Sequence, residues 1–157
     1  MHASTHGAIG IALITASYII TKSEKKTFII GGILAFASHY ILDFIGESPY
    51  KSMQEMLFIE VAVYLWSLVL MFFLGLKYLK FSVFGFFMAN LMDYIDKKMY
   101  FSIFLPKEYP FTYYFHSKNQ VLFPISYQKT IIAAIVSVIL IGACFLILKN
   151  SKMRLNS

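Results

Sequence analysis

Long apolar runs and short polar interruptions alternate along the chain. The runs cover about residues 5–21, 27–45, 55–76, 81–95 and 130–148. Most approach the roughly 20 residues an α-helix needs to cross a bilayer core. The first three interruptions are brief: 22–26 carries Lys22, Lys25 and Lys26, 46–54 carries Gly46, Pro49 and Lys51, and 77–80 carries Lys77 and Lys80. Gly46 and Pro49 are suited to ending a helix. Residues 96–129 form the long connection, with Pro106, Pro110, Pro124 and the aromatic stretch YPFTYYFHSK at 109–118. Aromatics mixed with lysine suit a segment lying at a membrane surface. The pattern predicts an all-α polytopic membrane protein, one integral membrane domain over 1–157 with about five transmembrane helices and an interfacial aromatic loop. The first run lacks a preceding basic region and more runs follow it, so it is expected to be a retained helix rather than a removed leader.

Within these runs, polar residues fall on particular helix faces. Positions i and i+4 share a face, so Gly31, Ala35, His39 and Asp43 form one stripe, two small residues followed by two potential metal ligands. Gly85, Ala89 and Asp93 repeat the small, small, polar spacing, and His6 shares a face with Gly10. Small residues let helices approach closely. With five helices alternating in direction, His6, His39, Asp43, Glu60, Asp93, Asp96 and His116 all fall toward one membrane face, and none falls toward the other. Each has a plainer reading. His39 and Asp43 could be a hydrogen-bonded pair, Asp93 a helix-end polar group with Asn90, and Asp96 an interfacial charge beside Lys97 and Lys98. Likewise Glu60 could hydrogen-bond between helices, and His6 and His116 could be interfacial.

Composition supports the membrane setting: 59% of residues are hydrophobic, 18% aromatic and only 14% charged, more apolar than a soluble core of this size needs. The formal net charge of +6 comes from 14 Lys and Arg lying mainly in the connections. Scattered there, they set orientation and touch anionic membrane lipid, and they make no nucleic-acid face. Eight lie on the side opposite the polar cluster and six on the cluster side, so the positive-inside rule places the cluster on the extracytoplasmic face. The single cysteine, Cys144, excludes an intramolecular disulfide and a Cys-rich zinc site.

Several acidic residues aimed at one place repel one another unless a cation or protons compensate. Imidazole with carboxylate suits zinc first, with manganese or iron as alternatives. His6, His39, Asp43, Asp93 and His116 are the candidate ligands, and Glu60 and Asp96 the candidate catalytic acid/base groups. Such a centre suits metal-assisted hydrolysis of an amphiphilic phosphoester or lipid-linked substrate at the membrane face. The competing expectation is a small scaffold or partner-binding protein whose polar cluster only fixes helix packing. A phosphate-binding glycine loop, Gly-x-Ser-x-Gly, His-Glu-x-x-His and Cys-x-x-Cys are all absent from the sequence.

THGAIG near the start, SHYILDFIGES, the helix-ending NLMDYID and the later FHS resemble the motifs of the YdjM-like group, small bacterial and archaeal inner-membrane proteins described as membrane-bound, metal-dependent hydrolases. The resemblance runs through short motifs over roughly residues 1–118. It implies a multi-pass inner-membrane protein with metal-binding roles at His6, His39, Asp43, Asp93 and His116, the last followed by Ser117. Met92 stands where the family usually has proline, Asp93 and Asp96 are three apart where it often has Asp-x-Asp, and the His-x-x-x-Asp helix precedes the Asp-containing one.

Overall fold

A computed structural model describes residues 3–45, 51–96 and 127–155, and all regular structure among them is helical. The elements are α1 (Ala3–Thr21), α2 (Glu24–Lys26), a π-helical turn (Thr27–Gly31), α3 (Gly32–Ile45), α4 (Met53–Leu74), α5 (Leu76–Ala89), α6 (Leu91–Asp96) and α7 (Tyr127–Leu155). Among the described residues three segments are long and apolar enough to cross a membrane: α1, Gln54–Leu74 of α4 and Gln128–Lys152 of α7. The surface agrees with that setting. Phe58, Phe73 and Ile139 are exposed, while Ser67, Ser82, Thr130 and Ser137 are buried. This inside-out distribution suits hydrocarbon surroundings, where helix contacts gain from hydroxyl hydrogen bonds rather than from hiding apolar area.

Helix α1 is the hub, packing on α3, α4, α5 and α7. Side-chain pairings give the directions. Asn90 Nδ2 donates to Ala3 O, and Lys77 Nζ at the other end of α5 donates to Tyr18 Oη, so α1 and α5 are antiparallel. His39 meets His6 while Gly31 packs on Ile14 and Ser17, so α3 also runs against α1. Ser4 meets Glu60, and Ser137 and Ser151 meet Thr5 and Lys22, so α4 and α7 run with α1. The ends of α3 and α5 and the starts of α1, α4 and α7 therefore share one end of the bundle.

The small-residue stripes are where the backbones meet. A Cβ on Gly10 would overlap the Gly85 carbonyl oxygen, and a Cβ on Gly85 would sit 2.8 Å from Gly10 O. Ala35 and Ala89, one turn along their helices, are fully buried. The π turn ends at Gly31, whose missing side chain admits Ile14. Below this crossing, Ile11, Ile14, Tyr18, Phe81 and Leu148 form the apolar core.

Element boundaries depart from the hydropathy pattern for local reasons. Helix α4 starts before Glu55 because Ser52 caps it: Ser52 Oγ accepts from Glu55 N at 3.1 Å, and Glu55 Oε2 accepts from Lys51 N at 2.7 Å. Gly75, at φ 122°, is the single residue between α4 and α5. Lys77 and Lys80 are therefore helical rather than part of a connection. The turn at Asn90 divides the expected fourth run into α5 and α6, and α7 continues past its apolar run to Leu155. The interfacial loop at 96–129 lies almost wholly outside the described residues.

At the end away from the histidines, Lys22 adopts φ 52° to close α1, its N–H bonding Tyr18 O, and Ser23 caps α2. Lys77 Nζ donates to Tyr18 Oη at 2.7 Å, lies 3.4 Å from Glu24 Oε1 and sits over the Tyr18 ring.

Gly85→Ala is expected to destabilise the bundle by about 1–3 kcal/mol through backbone overlap. Gly142→Ala, where an added Cβ meets nothing within 4 Å, should be neutral or slightly stabilising. Thermal unfolding in one detergent compares them; equal midpoints for Gly85→Ala and wild type would refute the close crossing.

Candidate functional site

The shared end of the bundle is built around the first turns of α1. An α-helix leaves its first N–H groups without intrahelical acceptors and its N-terminus partially positive. Glu60 of α4 meets both needs: its Oε2 accepts from Ser4 N at 2.5 Å. Asn90, at the break between α5 and α6, donates from Nδ2 to Ala3 O at 3.1 Å and to Phe86 O at 2.8 Å. Glu60 and Asn90 thus both bond the backbone at the first described residues of α1.

One turn further along α1, His6 is completely buried, and His39 of α3 is 1% exposed. Their rings stack with centroids 4.1 Å apart and planes inclined by 21°. His39 Nδ1 lies 2.8 Å from Ala89 O. A carbonyl only accepts, so the proton of neutral His39 belongs on Nδ1 and the lone pair on Nε2. This contact with Ala89 depends on the α1–α5 crossing, because Ala89 lies one turn beyond Gly85 on the same face.

The sequence-derived candidates are placed unequally. His6 and His39 are brought into direct contact, and Glu60 reaches the same end of α1. Asp43 lies on α3 one turn beyond His39, and Asp93 and Asp96 lie on α6. Their backbones are therefore at this end, while their side chains, and His116 entirely, lie outside the described residues. Among the described residues no group of three or more His, Cys, Asp or Glu side chains gathers as a metal site.

Sequence reasoning missed the parts played by Ser4 and Asn90. Asn90 was legible as a polar interruption of an apolar helix; the Ser4 contact uses backbone and leaves no side-chain signal. It also missed a cleft of about 400 Å³ between α4 and α5 beside this end, lined by Ala3, Glu60, Val61, Tyr64, Phe86 and Phe87 among others. Glu60 is its acidic lining residue, and the other walls are apolar or aromatic.

Comparison of the chain with protein-family models, with curated proteins and with solved structures gives no match.

Nitrogen NMR of protein labelled in its imidazoles should find neutral His39 protonated at Nδ1; a neutral ring protonated at Nε2 would contradict the Ala89 contact. Glu60→Ala should cost about 1–2 kcal/mol of stability, through loss of an acceptor and a favourable charge at the α1 N-terminus. Glu60→Gln, which keeps an acceptor, should cost less. Denaturant or thermal unfolding measures both.

Proposed function

We propose that the chain is a membrane-embedded, metal-dependent hydrolase acting on an amphiphilic, lipid-like or phosphoester substrate. We take it to span the inner membrane about five times, with α3 and α5 completing the set of crossings and its histidine end on the extracytoplasmic face. The observation that carries this reading is the buried contact between His6 and His39, residues far apart in sequence, at the helix ends that also carry Asp43 and Asp93. Resemblance to the YdjM-like group supports the same ligand set.

The donor types suit a divalent ion, and the stacked rings of His6 and His39 would have to turn apart for both in-plane lone pairs to reach the same one. Metal-binding imidazoles are commonly oriented by a hydrogen bond from the other ring nitrogen to a carbonyl, and the His39 bond to Ala89 O provides one. His6, His39, Asp43, Asp93 and His116 would hold the ion, zinc by preference and manganese or iron otherwise. Bound there, it would supply Lewis acidity and a water acidified to a pKa of about 7. Glu60 or Asp96 would accept the water proton, and the apolar cleft beside Glu60 would take the hydrocarbon part of the substrate. For Glu60 this proton transfer would be additional to its contact with Ser4 N.

A second reading has its own support. Glu60, Asn90 and His39 each bond the backbone of another helix, at Ser4 N, Ala3 O and Ala89 O. A polar cluster that only fixes helix packing in a scaffold or partner-binding protein would make the same bonds.

Elemental analysis separates the two. Protein purified without added metal should carry near-stoichiometric zinc, manganese or iron, and His39→Ala should lose it. Wild-type metal content in His39→Ala refutes the ligand assignment. Metal-free wild type whose Asp43→Asn and Asp93→Asn variants are merely less stable favours the scaffold.

A further inference from the structure

Charge is distributed unequally between the two ends of the bundle. Lys22, Lys25, Lys26, Lys77, Lys80, Lys149 and Lys152 lie at the end opposite the histidines, and Glu24 is the single acid there among the described residues. Contacts show that the turns carrying them adjoin: Lys22 reaches Ser151, Lys77 reaches Tyr18 and Glu24, and Lys152 Nζ donates to Leu74 O at 2.8 Å. Six of these seven lysines fall into two sets, and Lys22, itself exposed, joins α1 to α7 through Ser151. Lys77 and Lys152 tie helix ends together, the second by capping an α4 carbonyl. Lys25, Lys26, Lys80 and Lys149 are exposed.

These exposed lysines adjoin exposed apolar side chains. Ile20 precedes the first group, Phe72, Phe73 and Leu76 precede Lys80, and Leu146 and Ile147 precede Lys149. Hydrocarbon-facing residues bordered by cations match the boundary where acyl chains give way to headgroups. A soluble acidic partner would use the cations but would leave the adjoining apolar band uncovered.

We propose that this end is a docking surface for anionic phospholipid headgroups, with Lys25, Lys26, Lys80 and Lys149 holding the lipid phosphates while Lys77 and Lys152 hold the helix ends in place. The surface is independent of any chemistry at the histidine end. It discriminates by charge, so binding weakens as salt rises.

Native mass spectrometry of the protein released from mixed phosphatidylglycerol and phosphatidylcholine bilayers tests this. Wild type should retain phosphatidylglycerol on the order of tenfold over its proportion in the bilayer, as several lysines near an anionic surface imply. Lys25→Gln, Lys26→Gln, Lys80→Gln and Lys149→Gln combined should bring that preference close to one, with the unfolding midpoint unchanged. Lys77→Met and Lys152→Met should instead lower the midpoint. Equal retention of the two lipids by wild type, or a preference surviving in the fourfold variant, overturns the proposal. Displacement of phosphatidylglycerol by a soluble acidic peptide at matched charge also overturns it, assigning the surface to a protein partner.

Discussion

The contact between Gly10 and Gly85 is the constraint on which the histidine end of the bundle depends. With hydrogen as both side chains, α1 and α5 meet backbone to backbone. In hydrocarbon, helices gain little by hiding apolar area from lipid, so close packing and interhelical hydrogen bonds must hold them together. The crossing permits both. It sets Ala89 O where His39 can donate to it, and it places the end of α5 where Asn90 reaches Ala3 O. Moving α5 outward would break these bonds together and leave the start of α1 to Glu60, Ser137 and the His39 stack.

Much of this was legible in the sequence because it depended on period and composition. Gly31 with Ala35, and Gly85 with Ala89, stood out at helical spacing, and both pairs pack against neighbouring helices. The common end of His6, His39 and Glu60 followed from alternating helix direction. Boundaries were less legible, because hydropathy reports where a helix can contact lipid rather than where it stops. Thus α7 continues through Lys149 and Lys152, and α5 begins before Lys77. A capping signal, Ser52 with Glu55, was present but is local and independent of the apolar run it precedes.

The site was legible as a gathering of residues but not as a set of bonds. Spacing can place His39 on the same helix face as Asp43, but it cannot say that His39 Nδ1 meets a carbonyl fifty residues away. Nor can it reveal that Glu60 faces the N-terminus of α1, because half of that interaction is backbone. The stacking of His6 on His39 depends on the relative rotation of α1 and α3, the same rotation that brings Gly31 against Ile14.

These bonds bear on why histidine occupies the buried position. Burying an imidazole between helices costs free energy unless its polar atoms are hydrogen-bonded, and the Ala89 contact offsets part of that cost. Asparagine or glutamine could also donate to a carbonyl. Histidine differs because a proton committed to Nδ1 leaves a directed lone pair at Nε2, carried on a rigid ring. That property is the one the proposed ligation would use. Stacking against His6 adds a second imidazole from another helix, so movement of α1 relative to α3 would shift both rings at once. On this geometry the close crossing of small residues and the chemistry available at the histidine end are one problem, since the backbone approach that packs the helices also orients the ring.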